Sequence, residues 1–135
     1  KKIHQQPASE NETRALIRIF QEYGGRGLLV FCGYGKKVVY YRRDQNFSTG
    51  QRCYRLARHL KKCTRGKLEQ LAIEREAQNG RRSTGRPEQY YGEMIRQPAF
   101  RIELPVNSGN KEEEEREIRD LMLLPLEYIY SLVQL

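Results

Sequence analysis

Between Phe47 and Cys63 the apolar residues Cys53, Leu56, Ala57, Leu60 and Cys63 fall on one helical stripe, while Arg52, Arg55, Arg58 and Lys62 take the other faces. That spacing suits a period of 3.6 residues and not one of two, so it predicts an amphipathic helix over about 49–62. Ser48 with Gln51 offers a capping box at its start. One face of this helix must go into a core, and the rest must present cations to solvent.

Charge along the whole chain is as uneven. The 135 residues carry a net charge of +8 and a pI of about 9.6. From Lys36 to Arg86 there are fifteen Lys/Arg against four Asp/Glu, a surplus of eleven, whereas Asn110 to the end holds three bases and seven acids. A uniformly solubilising surface would not divide this way. The basic segment is expected to meet a polyanion, nucleic acid foremost, although an anionic membrane surface would also satisfy the charge. The length suits one domain with a modest core. Three cysteines, Cys32, Cys53 and Cys63, form neither an even framework nor a C-x-x-C pair. Reduced thiols are therefore expected, in the cytoplasm or in a nucleoid or nucleus. No apolar run of about 18 residues exists to span a bilayer, so no membrane partner is expected. The opening Lys1-Lys2-Ile3-His4-Gln5-Gln6-Pro7 has no signal core and no initiator Met, which reads as a trimmed fragment, and residues 1–8 are expected to be frayed.

Ser9 and Glu12 fit a capping box for a helix at about 10–23 carrying Ala15, Leu16, Ile19, Phe20 and Tyr23, stopped by Gly24-Gly25. The β-prone runs 28–32 and 38–41, split by Gly33-Tyr34-Gly35-Lys36-Lys37, read as a hairpin. Thr64 can cap a short helix with Leu68, Leu71 and Ala72 over about 64–73. A second hairpin is expected from Ile73–Ala77 and Gln89-Tyr90-Tyr91, and Phe100, Ile102 and Leu104 predict a strand between Pro98 and Pro105. Asn110 with Glu113 can cap a last helix with a broad apolar face, Ile118 to Val133, which Pro125 should kink or split.

Leu56-Ala57-x-x-Leu60, a turn, then Thr64-Arg65-Gly66-Lys67-Leu68-x-x-Leu71 resembles a helix-turn-helix, with Lys61-Lys62 in a turn that usually carries Gly. The loop Asn79–Pro87 places Arg81, Arg82 and Arg86 between two strand-like segments, as a winged-helix protein does to grip phosphates. Within it, Gly85-Arg86-Pro87-x-x-Tyr90-Tyr91 is similar to the wing of PadR-type transcriptional regulators, although the Gly92-Glu93-Met94 that follows departs from that family. The resemblance covers roughly residues 50–91.

It implies an α+β fold: a winged helix-turn-helix over 9–106 with an additional β-hairpin, followed by a C-terminal dimerisation helix over 107–135. Arg65, Lys67 and Gln70 would then face the major groove of duplex DNA, and Arg81, Arg82 and Arg86 would work the wing. Arg52, Arg55, Arg58, Lys61 and Lys62 would clamp phosphates. The expected role is a homodimeric DNA-binding protein, a transcriptional regulator or a replication or partition factor. Two alternatives stand beside it. One is an RNA-binding module that stacks bases on Phe31, Tyr34, Tyr40 and Tyr41. The other is a small basic enzyme of the ribonuclease kind. No cofactor or catalytic set is expected: no Walker loop is present, and neither Asp44 with Glu74 and Glu76 nor the tyrosine pairs give a defensible nuclease spacing. His59 and Cys63, four apart, could hold a metal, but the cysteines are expected to be core thiols.

Overall fold

A computed structural model describes residues 11–42, 47–75, 86–105 and 109–134. Helix α1 (Asn11–Tyr23) leads into strands β1 (Leu28–Tyr34) and β2 (Lys37–Arg42). Helix α2 (Phe47–Cys63), strand β3 (Gln70–Arg75), helix α3 (Pro87–Met94) and strand β4 (Ala99–Leu104) follow, then helices α4 (Lys111–Leu121) and α5 (Leu124–Gln134). The fold is α+β, a four-stranded mixed sheet with helices on both faces.

The sheet runs β1-β4-β2-β3. β4 lies parallel to β1, with Leu28 opposite Ala99 and Phe31 opposite Ile102, and antiparallel to β2, with Val38 opposite Ile102. The expected hairpin at 28–41 is therefore corrected: both strands form, but they do not pair with each other. β4 takes the place between them, and its Ala99, Phe100 and Ile102 are all buried there under helices on the two faces. Gly35 and Lys36 carry the chain over the end of β4, where the Leu104 carbonyl accepts both amides at 3.1 and 3.4 Å.

Two further expectations are corrected. Residues 64–73 are a turn and a strand, not a recognition helix. Arg65 (φ 54°) and Gly66 (φ 90°) both sit in the left-handed region, which a right-handed helix cannot contain. Thr64 closes this turn, its hydroxyl donating to the Lys61 carbonyl at 2.7 Å and accepting the Leu68 amide at 3.2 Å. From Gln70 the chain pairs parallel to β2, and Leu71 and Ile73 turn into the core. Gln89-Tyr90-Tyr91 is helical, not a strand. Pro87, with its fixed φ, starts α3, and both tyrosines pack inward. Gly92 allows this, since a Cβ there would come within 2.8 Å of the Tyr41 ring.

On one face of the sheet, Val38, Tyr40, Phe100 and Ile102 pack against Leu56, Ala57 and Leu60 of α2 and against Leu121, Leu124 and Tyr128 of the C-terminal helices. On the other face, Tyr41 and Ala99 meet Phe20 of α1 and Tyr90 and Tyr91 of α3. Asn110 caps α4 as expected, accepting the Glu113 amide at 3.2 Å, and the last apolar stretch divides before Pro125 into two helices. Tyr128 anchors α5 by donating to the Arg26 carbonyl at 2.7 Å. Its ring lies so near Gly27 that a Cβ there would come within 2.6 Å.

Burial pushes the Tyr128 hydroxyl well above the ordinary tyrosine range. A phenol harder to ionise folded than unfolded contributes stability that is complete below about pH 10 and is lost as pH rises through its folded value. Tyr128→Phe should therefore lose less stability than the wild type between pH 9 and 11, as thermal unfolding across that range would report. At neutral pH it should be weaker by about 1 kcal/mol for the missing hydrogen bond.

Candidate nucleic-acid interface

α2 is fixed by its inner stripe. Leu56, Ala57 and Leu60 are at most 1% exposed and Cys53 is buried, which turns the opposite face outward. On that face Arg55, Arg58 and Lys62 are exposed and His59 is half-buried, and these four line one shallow depression. Spacings of three and four residues put them in a row along the helix, and Arg55 to Lys62 spans about 10 Å at 1.5 Å per residue. Arg52 and Lys61, both half-buried, flank the row on either side. Lys61 and Lys62 also sit in the last turn, where cations favour the helix dipole.

Carboxylates hold some of the other bases. Lys36 lies 3.9 Å from Glu69, Lys67 lies 3.6 Å from Asp120 and Arg86 lies 3.5 Å from Glu74. Among the described residues no carboxylate holds Arg55, Arg58 or Lys62. Arg58 instead lies over the ring of Tyr54, 5.7 Å from its centroid, and Tyr54 is partly exposed.

The other expected site residues are dispersed. Arg65 is exposed in the turn beyond α2, Lys67 is half-buried, and Gln70 is the exposed first residue of β3. Arg86 precedes α3 and pairs with Glu74 on the α1/α3 side of the sheet, away from α2. Arg81 and Arg82 lie outside the described residues. Of the expected stacking platform, Tyr40 and Tyr41 are buried under opposite helical layers and Phe31 packs against the α2-side core, while the Tyr34 side chain lies outside the described residues. Sequence reasoning missed Tyr54 and His59 as neighbours of the basic row. Their spacing of four and one from Arg58 was the signal for both.

On the α1/α3 side, Arg101 donates to Glu103 at 2.9 Å, to Glu74 at 2.8 Å and to Glu88, while Gln89 also donates to Glu74 at 2.7 Å. The guanidinium is 13% exposed and Glu88 2%; burial alone would lower the arginine's pKa, but its bonds to three carboxylates outweigh that and raise it. Every carboxylate in this cluster is committed to the same cation, so it ties α3 and β3 to β4 and leaves no group poised for chemistry. Burial also pushes all three thiols up, which is the wrong direction for a nucleophilic cysteine. Among the described residues no helix is long and apolar enough to cross a membrane.

Comparison with protein-family models, with curated proteins and with solved structures returned no match.

Proposed function

We propose that this protein binds nucleic acid, duplex DNA foremost, by its phosphate backbone through the outer face of α2. The observation that carries the reading is the row Arg55, Arg58 and Lys62, exposed together along one face of α2 around one shallow depression and, among the described residues, without a carboxylate partner. A cationic row on a rigid helix suits phosphates spaced along a strand, and such contacts position a protein without reading sequence. Arg52 and Lys61 widen the row, and Tyr54 offers a ring at its border. A recognition helix is no part of this proposal, which keeps the backbone-directed half of the winged-helix expectation. The role it fits is a regulator or a replication or partition factor that needs another source of specificity.

Pairing of two chains belongs to the same proposal. Leu126, Ile129, Tyr130 and Val133 are 59 to 82% exposed along one side of α5, an apolar stripe that a second copy would cover.

The test is affinity for matched duplex DNA, single-stranded DNA and RNA across a salt series. Three released counterions predict a log K versus log salt slope of about −2 to −3, steeper where flanking bases join, with the duplex bound tightest. Two chains per bound duplex are expected. A flat salt response, or no binding in dilute buffer, would overturn the reading.

A further inference from the structure

Where the C-terminal end of α2 meets the start of α5, three side chains converge: His59 and Cys63, one turn apart on α2, and Glu127 on α5. Cys63 Sγ lies 3.5 Å from His59 Nε2 and 3.6 Å from Glu127 Oε1. All three ligand atoms fall within 4.8 Å of one another. We infer that His59, Cys63 and Glu127 form a zinc-binding site with one exchangeable position.

The distances carry this. Zinc takes imidazole nitrogen at about 2.0–2.1 Å, thiolate sulfur at about 2.3 Å and carboxylate oxygen at about 2.0–2.2 Å. At tetrahedral angles those bonds separate nitrogen from sulfur, and sulfur from oxygen, by about 3.6 Å. Both observed edges already have that length. The third edge closes by turning Glu127, an exposed side chain. One thiolate, one imidazole and one carboxylate are donors zinc accepts together, and the two anions neutralise its charge. Three protein ligands leave the fourth position to water. Two of the three ligands, Cys63 and Glu127, also line a cleft of about 250 Å³ with Thr64, Arg65, Lys67 and Asp120 among others.

A nucleophile–base–acid triad does not fit the same atoms. There the histidine stands between the thiol and the carboxylate, whereas here the sulfur stands between histidine and carboxylate. Without metal, the two contacts at sulfur serve as weak hydrogen bonds. With it, they become bonds that fasten α5 to α2 directly beside the basic row.

The test uses the full chain stripped with a chelator. It is titrated with Zn²⁺ against a chromophoric competitor and separately with Co²⁺, whose thiolate charge-transfer absorption reports a bound sulfur. One equivalent of either metal should bind, with that absorption present. Cys63→Ser should abolish the absorption, and Cys32→Ser should leave it. Glu127→Gln, at an exposed position that does not endanger folding, should weaken zinc by at least about tenfold. Absence of stoichiometric binding, charge-transfer absorption that survives Cys63→Ser, or unchanged affinity in Glu127→Gln would each overturn the site.

Discussion

Replacing Arg55, Arg58 and Lys62 together by glutamine should weaken binding to duplex DNA by roughly a hundredfold or more at moderate salt, and should do so equally for every duplex sequence. Each cation that neutralises a phosphate releases a counterion, so the salt slope should also fall by about three. Stability should hardly change. All three side chains are exposed, none is held by a carboxylate among the described residues, and glutamine keeps the helix propensity. Fluorescence anisotropy gives both numbers, with urea unfolding as the control. Arg86→Gln, on the far side of the sheet, is the contrasting variant and should leave affinity within about twofold. Loss of affinity confined to one sequence would mean that these residues read bases.

Arg101→Leu should be the most damaging single change for folding. It takes the shared guanidinium from the enclosed Glu88 and from Glu103, and leaves Glu74 with only Gln89 and the exposed Arg86. Removing one partner of a buried ionic cluster costs about 3–5 kcal/mol, against a total stability of about 5–15 kcal/mol for a domain. The urea midpoint should drop accordingly, or the protein should fail to fold. Adding Glu88→Gln to Arg101→Leu should recover part of the loss, because one stranded charge is gone. Arg101→Lys should cost less than leucine but more than nothing, since an ammonium cannot match the fork that reaches three carboxylates. An unchanged midpoint in Arg101→Leu would show that the carboxylates find water or protons without cost.

The elements that the sequence made legible are those whose signals are local. The stripe Cys53–Cys63 made α2, Gly24 closed α1, Pro98 and Pro105 bracketed β4, and Asn110 and Pro125 marked the start of α4 and the division from α5. The outward placement of Arg55, Arg58 and Lys62 was legible for the same reason: burying one stripe exposes its complement. Failures came where two periods share the same residues. Leu68, Leu71 and Ala72 satisfy a helical spacing, yet Leu68 is a buried plug in a turn and Leu71 belongs to a strand alternation with Ile73. Two consecutive left-handed residues, Arg65 and Gly66, decided between them, and only the glycine hinted at it. Tyr90-Tyr91 has the composition of a strand, but the proline at the start of α3 and the close approach at Gly92 made it a helix. Long-range pairing was not legible at all. No local rule shows that β4 parts β1 from β2, that Glu74, Glu88 and Glu103 share one arginine, or that Glu127 reaches Cys63 across 64 positions.

The outer face of α2 is read most directly by amide chemical-shift mapping while a short duplex is titrated into isotope-labelled protein at low salt. Shifts should concentrate between Gln51 and Lys62 and fade as salt is raised. Shifts that gather instead on α1 and α3, or a spectrum the duplex leaves untouched, would contradict a phosphate-binding surface on this helix.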